Sequence, residues 1–534
     1  MLIVVIAACH LADSQATTDS PRNLSPAPPM GWASWNHYFC DYTDQTIRDQ
    51  ADALVSSGMR ELGYRYVLIQ ECIAPRREAN GDMMVDAKRF PHGMKDLVDY
   101  IHLRGLKAGI YTDIGTHTCF KNPLYEGSYQ HEEHDANTFA AWGIDIIEMD
   151  YCNRPAGIPG RAVYERMAAA IQKTGRPMLF YICSWGNESP WTWAQGKAQL
   201  WRTDTDISWN KNQVEWTRVV QNFESNARHS VFSAPNSWND PDMLEIGNPG
   251  LTATEEQTHF LMWAISAAPL WVSNDLTKMS DSIRRIYTNV EVVAVNQDSL
   301  GAGPMKVREY DNGLEVWRKH LGSVGSGVDA VLLLNLRETP TDIRVHWDDL
   351  GIVGKAAVRD LIAHKDLGEF PDGYQAKIPA HGSMLLKVSG EFSWIKGATY
   401  EAEWPGNIRA GDTTLLVCPE CSQSYAISLQ GPKHEANDSV KSSLIFTHVC
   451  VLKAGRYSAT IFYVYSGPRG KKTMQMQVNG SSPTDVQLPE FVYSSIKVPV
   501  DLNKGDNTIA FQFAGEGRVN IDRILLSQDS PVAP

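Results

Sequence analysis

Between Met30 and Asn274 the chain repeats one unit eight times, a short apolar run followed by a longer amphipathic stretch. The runs are Met30–Trp35, Tyr66–Glu71, Ala108–Asp113, Ile144–Asp150, Met178–Trp185, Leu200–Ile207, Trp238–Leu244 and Pro269–Asn274. The stretches between them space apolar residues as helices do, as in Thr46–Leu62, which stops before Gly63, and His92–Arg104. Eight strand–helix units in roughly 270 residues match a (β/α)8 barrel in both count and length. A doubly wound open sheet is the alternative, but no glycine-rich phosphate turn follows any run. The expected fold class is therefore α/β, with a TIM barrel over residues 28–301.

Polar residues gather where the runs end. They are Trp35, Gln70 and Glu71, Tyr111 and Asp113, Asp150, Ser184 and Trp185, Arg202 and Asp206, and Asp240 and Asp242. In a barrel these positions share the C-terminal face, where the chemistry is done. Ile144 to Met149 delivers the carboxylate of Asp150 at a strand exit. Aspartate is disfavoured in strands and costly to bury unpaired, so the position asks for a reason. Capping of the next helix is one reason. A second acidic strand end, Trp201-Arg202-Thr203-Asp204-Thr205-Asp206, supplies another.

Two carboxylates flanking a glycosidic bond, about 5–5.5 Å apart, are what a retaining glycosidase uses. Asp150 is the candidate nucleophile and Asp206 the candidate acid/base. Strand alternation places Asp204 on the same face as Asp206, so spacing leaves both in play. Arg202 offers a fixed guanidinium fork to orient the second carboxylate. Asp113 either lines the pocket or buttresses the Gly115 turn. Asp242 is either a sugar-hydroxyl acceptor or a turn former. His131-Glu132-Glu133-His134 lacks the spacing of a helical zinc pair and reads as the solvated start of a helix over Ala136–Trp142.

Past Gly301 the pattern changes to period two, as in Gly313–Trp317, Ala330–Leu334 and Ser383–Val388. An antiparallel β-sandwich over 302–391 is expected, then a second all-β region over 393–530. That last region opens on Tyr400-Glu401-Ala402-Glu403 and closes on Val519 to Ile524. Its Trp404, Phe491 and Tyr493 offer stacking faces but read first as core. A chain of 534 residues accommodates several domains, and 43% hydrophobic content excludes wholesale disorder. A net charge of −13 argues against nucleic acid as a partner and suits a neutral carbohydrate substrate.

Residues 1–16 resemble a secretory signal and 17–27 a linker, so the expected location is secreted or extracytoplasmic. Ile6-Ala7-Ala8-Cys9 also has the form of a lipoprotein box, which would anchor the chain at Cys9. No later run reaches the ~18 apolar residues of a membrane span. Nine cysteines in an exported chain favour disulfides over metal. Cys418-Pro-Glu-Cys421 reads as structural bridging, with Cys450 as a further partner. Sequons stand at Asn23, Asn187, Asn437 and Asn479.

Several blocks in order carry a resemblance. They are Pro29-Met30-Gly31-Trp32, Arg89-Phe90-Pro91-His92-Gly93, Lys107-Ala108-Gly109-Ile110-Tyr111, Trp238-Asn239-Asp240-Pro241-Asp242-Met243, Ala267-Ala268-Pro269-Leu270 and Val295-Asn296-Gln297-Asp298. From Pro28 to about Gly390 the chain resembles glycoside hydrolase family 27, the melibiase-type α-galactosidases and α-N-acetylgalactosaminidases. The resemblance implies Asp150 as nucleophile and Asp206, not Asp204, as acid/base, with no cofactor for catalysis. It implies sugar contacts at Trp35, Tyr111, Arg202 and Asp242, and disulfides Cys40–Cys72 and Cys119–Cys152. It leaves Cys183 free, because the position of its partner in some relatives falls at Ala198. The last region is similar to carbohydrate-binding modules of the type-35/type-6 group. That similarity implies a structural calcium at Glu401, Glu403 and Asp522, all oxygen donors suited to a hard cation.

Four sugar-facing positions depart from the family pattern. The family's Asp-Asp-Cys-Trp is Gln70-Glu71-Cys72-Ile73 here, its sugar-gripping Lys is Glu148, and the Glu that follows the cysteine at the Cys183 position is Ser184. A site built around particular hydroxyls discriminates strongly, so these changes bear on which sugar is bound. The expectation is hydrolysis of an α-D-galactosyl or stereochemically equivalent bond. A β-L-arabinopyranosidase or an α-N-acetylgalactosaminidase would use the same catalytic pair. A non-catalytic carbohydrate-binding protein is the reading from a different class.

Overall fold

The computed structural model describes residues 23–208, 213–310, 313–431, 442–466, 472–488, 493–513 and 515–528. The candidate signal, Cys9, Asn437 and Phe491 lie outside these residues.

Eight parallel strands form one curled sheet. They are β1 (Met30–Ala33), β2 (Tyr66–Ile69), β3 (Lys107–Asp113), β4 (Ile146–Asp150), β5 (Leu179–Ile182), β6 (Leu200–Arg202), β7 (Trp238–Asp240) and β8 (Leu270–Val272). Each pairs with its sequence neighbour from β1 to β7, and β8 pairs with β1. The ring is completed where the Leu244 N–H donates to the Trp271 carbonyl at 2.7 Å, beside a parallel bridge between Leu244 and Val272. The sheet is thus the barrel expected from the eightfold alternation. All of its strands but β3 are shorter than the apolar runs. β6 ends at Arg202, so Asp204 and Asp206 lie in a loop and strand alternation does not govern them.

The pleat explains the hydrophobic runs. Val67, Ile69, Ala108, Ile110, Ile147, Met149, Phe180 and Ile182 face the helices and join the large outer core. Residues of opposite parity fill the barrel as a separate cluster that includes Tyr66, Leu68, Ile146, Tyr181, Leu200, Trp238 and Trp271. Gly109 belongs to that inner layer. A Cβ there would lie 2.6 Å from Leu68 Cδ1 and 2.7 Å from Ile146 Cγ2, so its missing side chain makes room for both neighbours. The barrel is a packed plug, and a ligand can enter only above it.

The helix Glu132–Trp142 begins four residues before the expected Ala136. Its first turn is not simply solvated. Glu132 is buried and pairs with Arg166 at 2.6 Å, Asp135 is buried and pairs with Arg77 at 2.7 Å, and His134 bonds Asp82 at 2.6 Å.

Past the barrel, strands Met305–Tyr310, Leu314–His320, Val328–Asn335, Ser383–Phe392, Ile352–Asp360 and Lys365–Phe370 form an antiparallel sheet in that spatial order. Thr341–His346 and Gly373–Ile378 pair separately. This region seats on the barrel through the Phe223 and Trp317 rings, 4.8 Å apart, and through Arg359 with Glu291. The last region is again antiparallel, in sheets of six and five strands, and Ala398–Glu401 pairs with Arg523–Leu526. Trp404 donates to the Ser233 carbonyl of the barrel at 3.1 Å, a packing role at an interface. Cys418 and Cys421 bridge one another, not Cys450. Among the described residues no helix is long and apolar enough to cross a membrane.

Candidate active site

Two residues beyond the plug, the inward face of each strand turns polar. Leu68 is followed by Gln70, Gly109 by Tyr111, Ile146 by Glu148, Tyr181 by Cys183, Leu200 by Arg202 and Trp238 by Asp240, because the pleat returns to one face every second residue. The next step brings Asp113 and Asp150, paired in register on β3 and β4. The carboxylates of the opening pattern are therefore gathered at one end of the barrel.

Asp150 is buried. Its Oδ2 accepts the Tyr111 hydroxyl at 2.8 Å and its Oδ1 accepts the Tyr151 N–H at 2.9 Å. The Cys119 sulfur lies 3.1 Å from Oδ2. Cys119 is bridged to Cys152, so that sulfur has no hydrogen to give and shields the oxygen from water. Burial, and next the charge of Asp206, push the Asp150 carboxyl up to about 7, against the two hydrogen bonds. Asp113 accepts the Gly115 and Cys152 N–H groups at 2.6 and 3.0 Å, so it buttresses the turn. Asp113, Cys119 and Cys152 converge as metal ligands do, but the disulfide removes both thiolates from that role.

Arg202 organises the opposite wall. Nη1 lies 3.0 Å from Oδ1 of Asp242, both side chains nearly sealed, and Nη2 lies 3.1 Å from Oδ1 of Asp206. Asp206 keeps 27% side-chain exposure, so it stands at the mouth. Asp204 turns away and accepts the Thr205 N–H at 2.7 Å. Asp242 accepts the Ile207 N–H at 2.8 Å from a backbone with φ of +95°. A non-glycine residue there is strained, and the Arg202 pair and the Ile207 bond hold it in place.

Gln70 is clamped. Its Oε1 accepts the Trp35 N–H at 3.1 Å and its amide donates to Oε2 of Glu148 at 2.7 Å. Burial first, then the nearby Asp150 charge, holds the Glu148 carboxyl well above the ordinary range. Glu71, also raised by burial, accepts from Thr118 and Phe120 and lies 3.1 Å from the Tyr111 hydroxyl. Ser184 spends its hydroxyl on the Asn187 carbonyl at 3.1 Å. The Trp35 ring packs 4.7 Å from Phe39 and 6.2 Å from Phe120. Cys183 is free and buried, as implied, and Cys40 is bridged to Cys72.

Thr118 and Phe120 escaped the sequence reading. They sit on a hairpin, His117–Lys121 with Leu124–Glu126, whose short strands carry no clear alternation. The signal that could have found them is Cys119 between them.

Far from this face, Glu401, Glu403 and Asp522 come together in the last region. The Ser422 hydroxyl lies 2.5 Å from Glu401 Oε2 and 2.6 Å from Asp522 Oδ1. Glu403 is fully buried and neither of its oxygens has a hydrogen-bond partner among the described residues. Burial, then the Glu401 charge, pushes its carboxyl up to about 9, and burial pushes Glu401 up to about 7. Tyr493 donates to the other oxygen of Asp522, so its role here is structural.

The family model described as alpha galactosidase A matches residues 27–298. The model of the alpha galactosidase C-terminal beta sandwich domain matches residues 311–388. An alpha-galactosidase of Oryza sativa subsp. japonica is 43% identical over 346 residues, covering 64% of this chain and 80% of that protein. Alpha-galactosidase A of Cellvibrio japonicus is 40% identical, covering 71% and 96%. Among solved structures, alpha-galactosidase I from Mortierella vinacea superposes with a TM-score of 0.65 at 34% identity, covering 70% of this chain and 99% of that one.

Proposed function

The chain belongs to the alpha-galactosidase family of glycoside hydrolases, and from that premise we propose that it removes terminal α-D-galactosyl residues with retention, through Asp150 and Asp206. The observation that carries this reading is the pairing of a shielded carboxylate with a partly exposed one. Asp150 is buried and fixed by two donors, whereas Asp206 stands at the mouth on Arg202. An oxygen of Asp150 attacks the anomeric carbon while the bond to the leaving oxygen breaks and Asp206 gives that oxygen its proton. Asp206 then takes a proton from water, the water oxygen attacks the same carbon, and the bond to Asp150 breaks.

Arg202 neutralises Asp206 when it is ionised and holds it in line. Trp35, Tyr111 and Asp242 complete the walls around the sugar, with Gln70 and Glu148 at its distal end and Ser184 near its O2. We take residues 28–301 as the catalytic unit, 302–391 as a sandwich packed against it, and 393–530 as a module similar to carbohydrate-binding modules, in a chain exported after its first 16 residues. In that module Glu401, Glu403 and Asp522 would hold a structural calcium. The buried carboxylate of Glu403, whose oxygens have no hydrogen-bond partner among the described residues, supports this, since Arg523 already pairs with Asp522 and a cation would pair with the glutamates.

A panel of aryl glycosides tests the assignment. Turnover of the α-D-galactoside, lost in Asp150→Asn, is the expected result. Preference for the β-L-arabinopyranoside or the α-N-acetylgalactosaminide would overturn the sugar and leave the catalytic pair standing. Full activity of Asp150→Asn would overturn the nucleophile.

A further inference from the structure

Two buried glutamates lie beside the candidate nucleophile, and their hydrogen bonding divides them. An ionised carboxylate has about four acceptor sites. In Glu71 three are taken and the fourth faces the Tyr111 hydroxyl. Oε1 accepts the Phe120 N–H at 3.0 Å and lies 3.1 Å from the Tyr111 oxygen, whose nearer acceptor is Oδ2 of Asp150 at 2.8 Å. Oε2 accepts the Thr118 hydroxyl at 2.7 Å and the Cys72 N–H at 3.4 Å. Glu148 accepts one bond, from Gln70 to Oε2, and its Oε1 has no hydrogen bond among the described residues. It leaves the same face of β4 as Asp150, two residues before it.

The partners of Glu71 matter as much as their number. Tyr111 comes from β3, and Thr118 and Phe120 bracket Cys119, whose sulfur lies against Asp150. Tyr111 has one hydroxyl hydrogen, yet it lies between Oε1 of Glu71 and Oδ2 of Asp150. Glu71 thus ties together the two contacts that define the Oδ2 side of Asp150. A sugar hydroxyl could reach Glu71 only by displacing one of these groups and leaving a buried donor unpaired.

Resting on the reading of Asp150 as nucleophile, we infer that Glu71 is a positioning residue, which fixes Tyr111 and the Cys119 hairpin around Asp150 and does not touch the substrate. The resemblance had placed it among the sugar contacts; the protein groups that face both of its oxygens assign it to the protein.

The test is steady-state kinetics of Glu71→Gln in the full chain with a nitrophenyl α-D-galactoside, together with inhibition by free galactose. An amide keeps the shape but replaces one acceptor oxygen with a donor. The expected result is a fall in kcat of about tenfold or more, with the galactose inhibition constant within about twofold of the parent. Removing the Glu71 charge also shifts the acid limb of kcat/KM to lower pH, because that charge helps raise the Asp150 carboxyl. Thr118→Val, which removes a donor to Glu71 and leaves the carboxylate, should lower kcat in the same sense. Should galactose inhibition weaken tenfold or more while kcat and the acid limb stay unchanged, Glu71 grips the sugar and the inference fails. Failure of the nucleophile assignment would show separately, as activity in Asp150→Asn.

Discussion

Nη2 of Arg202 lies 3.1 Å from Oδ1 of Asp206, four residues further along the chain. β6 ends at Arg202 itself, so this contact places a carboxylate that no strand positions. The same guanidinium holds Asp242 in its left-handed backbone. One buried cation therefore orders two acids. Arg202→Ala would leave Asp242 buried without its partner, a loss of about 3–5 kcal/mol for a broken buried pair. Chemical denaturation should show that loss. Arg202→Lys keeps a charge but cannot fork to both acids, so kcat should fall even where the fold survives.

The charge of Asp206 is the second cause raising Asp150, after burial. Asp206→Asn should therefore lower the Asp150 pKa from about 7. The sign follows directly: a nucleophile with a lower pKa stays ionised to lower pH, so the acid limb of kcat/KM moves down. An activated aryl α-galactoside is the right substrate, since its leaving group depends little on Asp206. With a poor leaving group the same variant should lose the ~10²–10⁴-fold that general acid catalysis contributes. An acid limb unmoved by Asp206→Asn would mean the two carboxylates do not share a field.

The barrel was legible because its signal is repeated. Eight apolar runs at similar spacing leave few alternatives, and the inward Leu68, Ile146, Tyr181 and Trp238 follow from parity once the strands are set. Asp150 was legible for the same reason, as the acid that ends β4. Asp206 was not legible from the residues themselves. The choice against Asp204 depends on where β6 stops, which apolar patterning marks poorly across Thr203-Asp204-Thr205. The division between Glu71 and Glu148 was also out of reach. It depends on donors from a hairpin about fifty residues along the chain, whose own strands are too short to announce themselves.

The Cys119–Cys152 bridge spans 33 residues and joins the hairpin after β3 to the exit of β4. Loop-closure entropy for that span gives about 3–4 kcal/mol of stability. Replacing both cysteines with serine should lower stability by about that much or somewhat less, as read by denaturant unfolding. Activity should fall further than stability explains, because the bridge also packs against Oδ2 of Asp150. Loss of stability with kcat unchanged would confine the bridge to a structural role.

The calcium proposal for the last region has a pH signature as well as a chelation signature. Without a cation, Glu401 and Glu403 titrate near 7 and 9 in the folded state, above the ordinary carboxylate value of 4.5. Acids raised on folding contribute stability that is complete below about 4.5 and is lost as pH rises through the folded values. The metal-free chain should therefore weaken steadily between about pH 4.5 and 9, by thermal unfolding followed through the last region. Calcium at ~100 times its dissociation constant should restore about 2.7 kcal/mol and flatten that slope. Glu403→Gln separates the two effects, since it removes the more strongly raised of the two glutamates and a cation ligand together. That variant should be more stable than the parent in chelator at pH 8 and should gain less from calcium. Equal responses of parent and variant to calcium would place the cation elsewhere or remove it from the account.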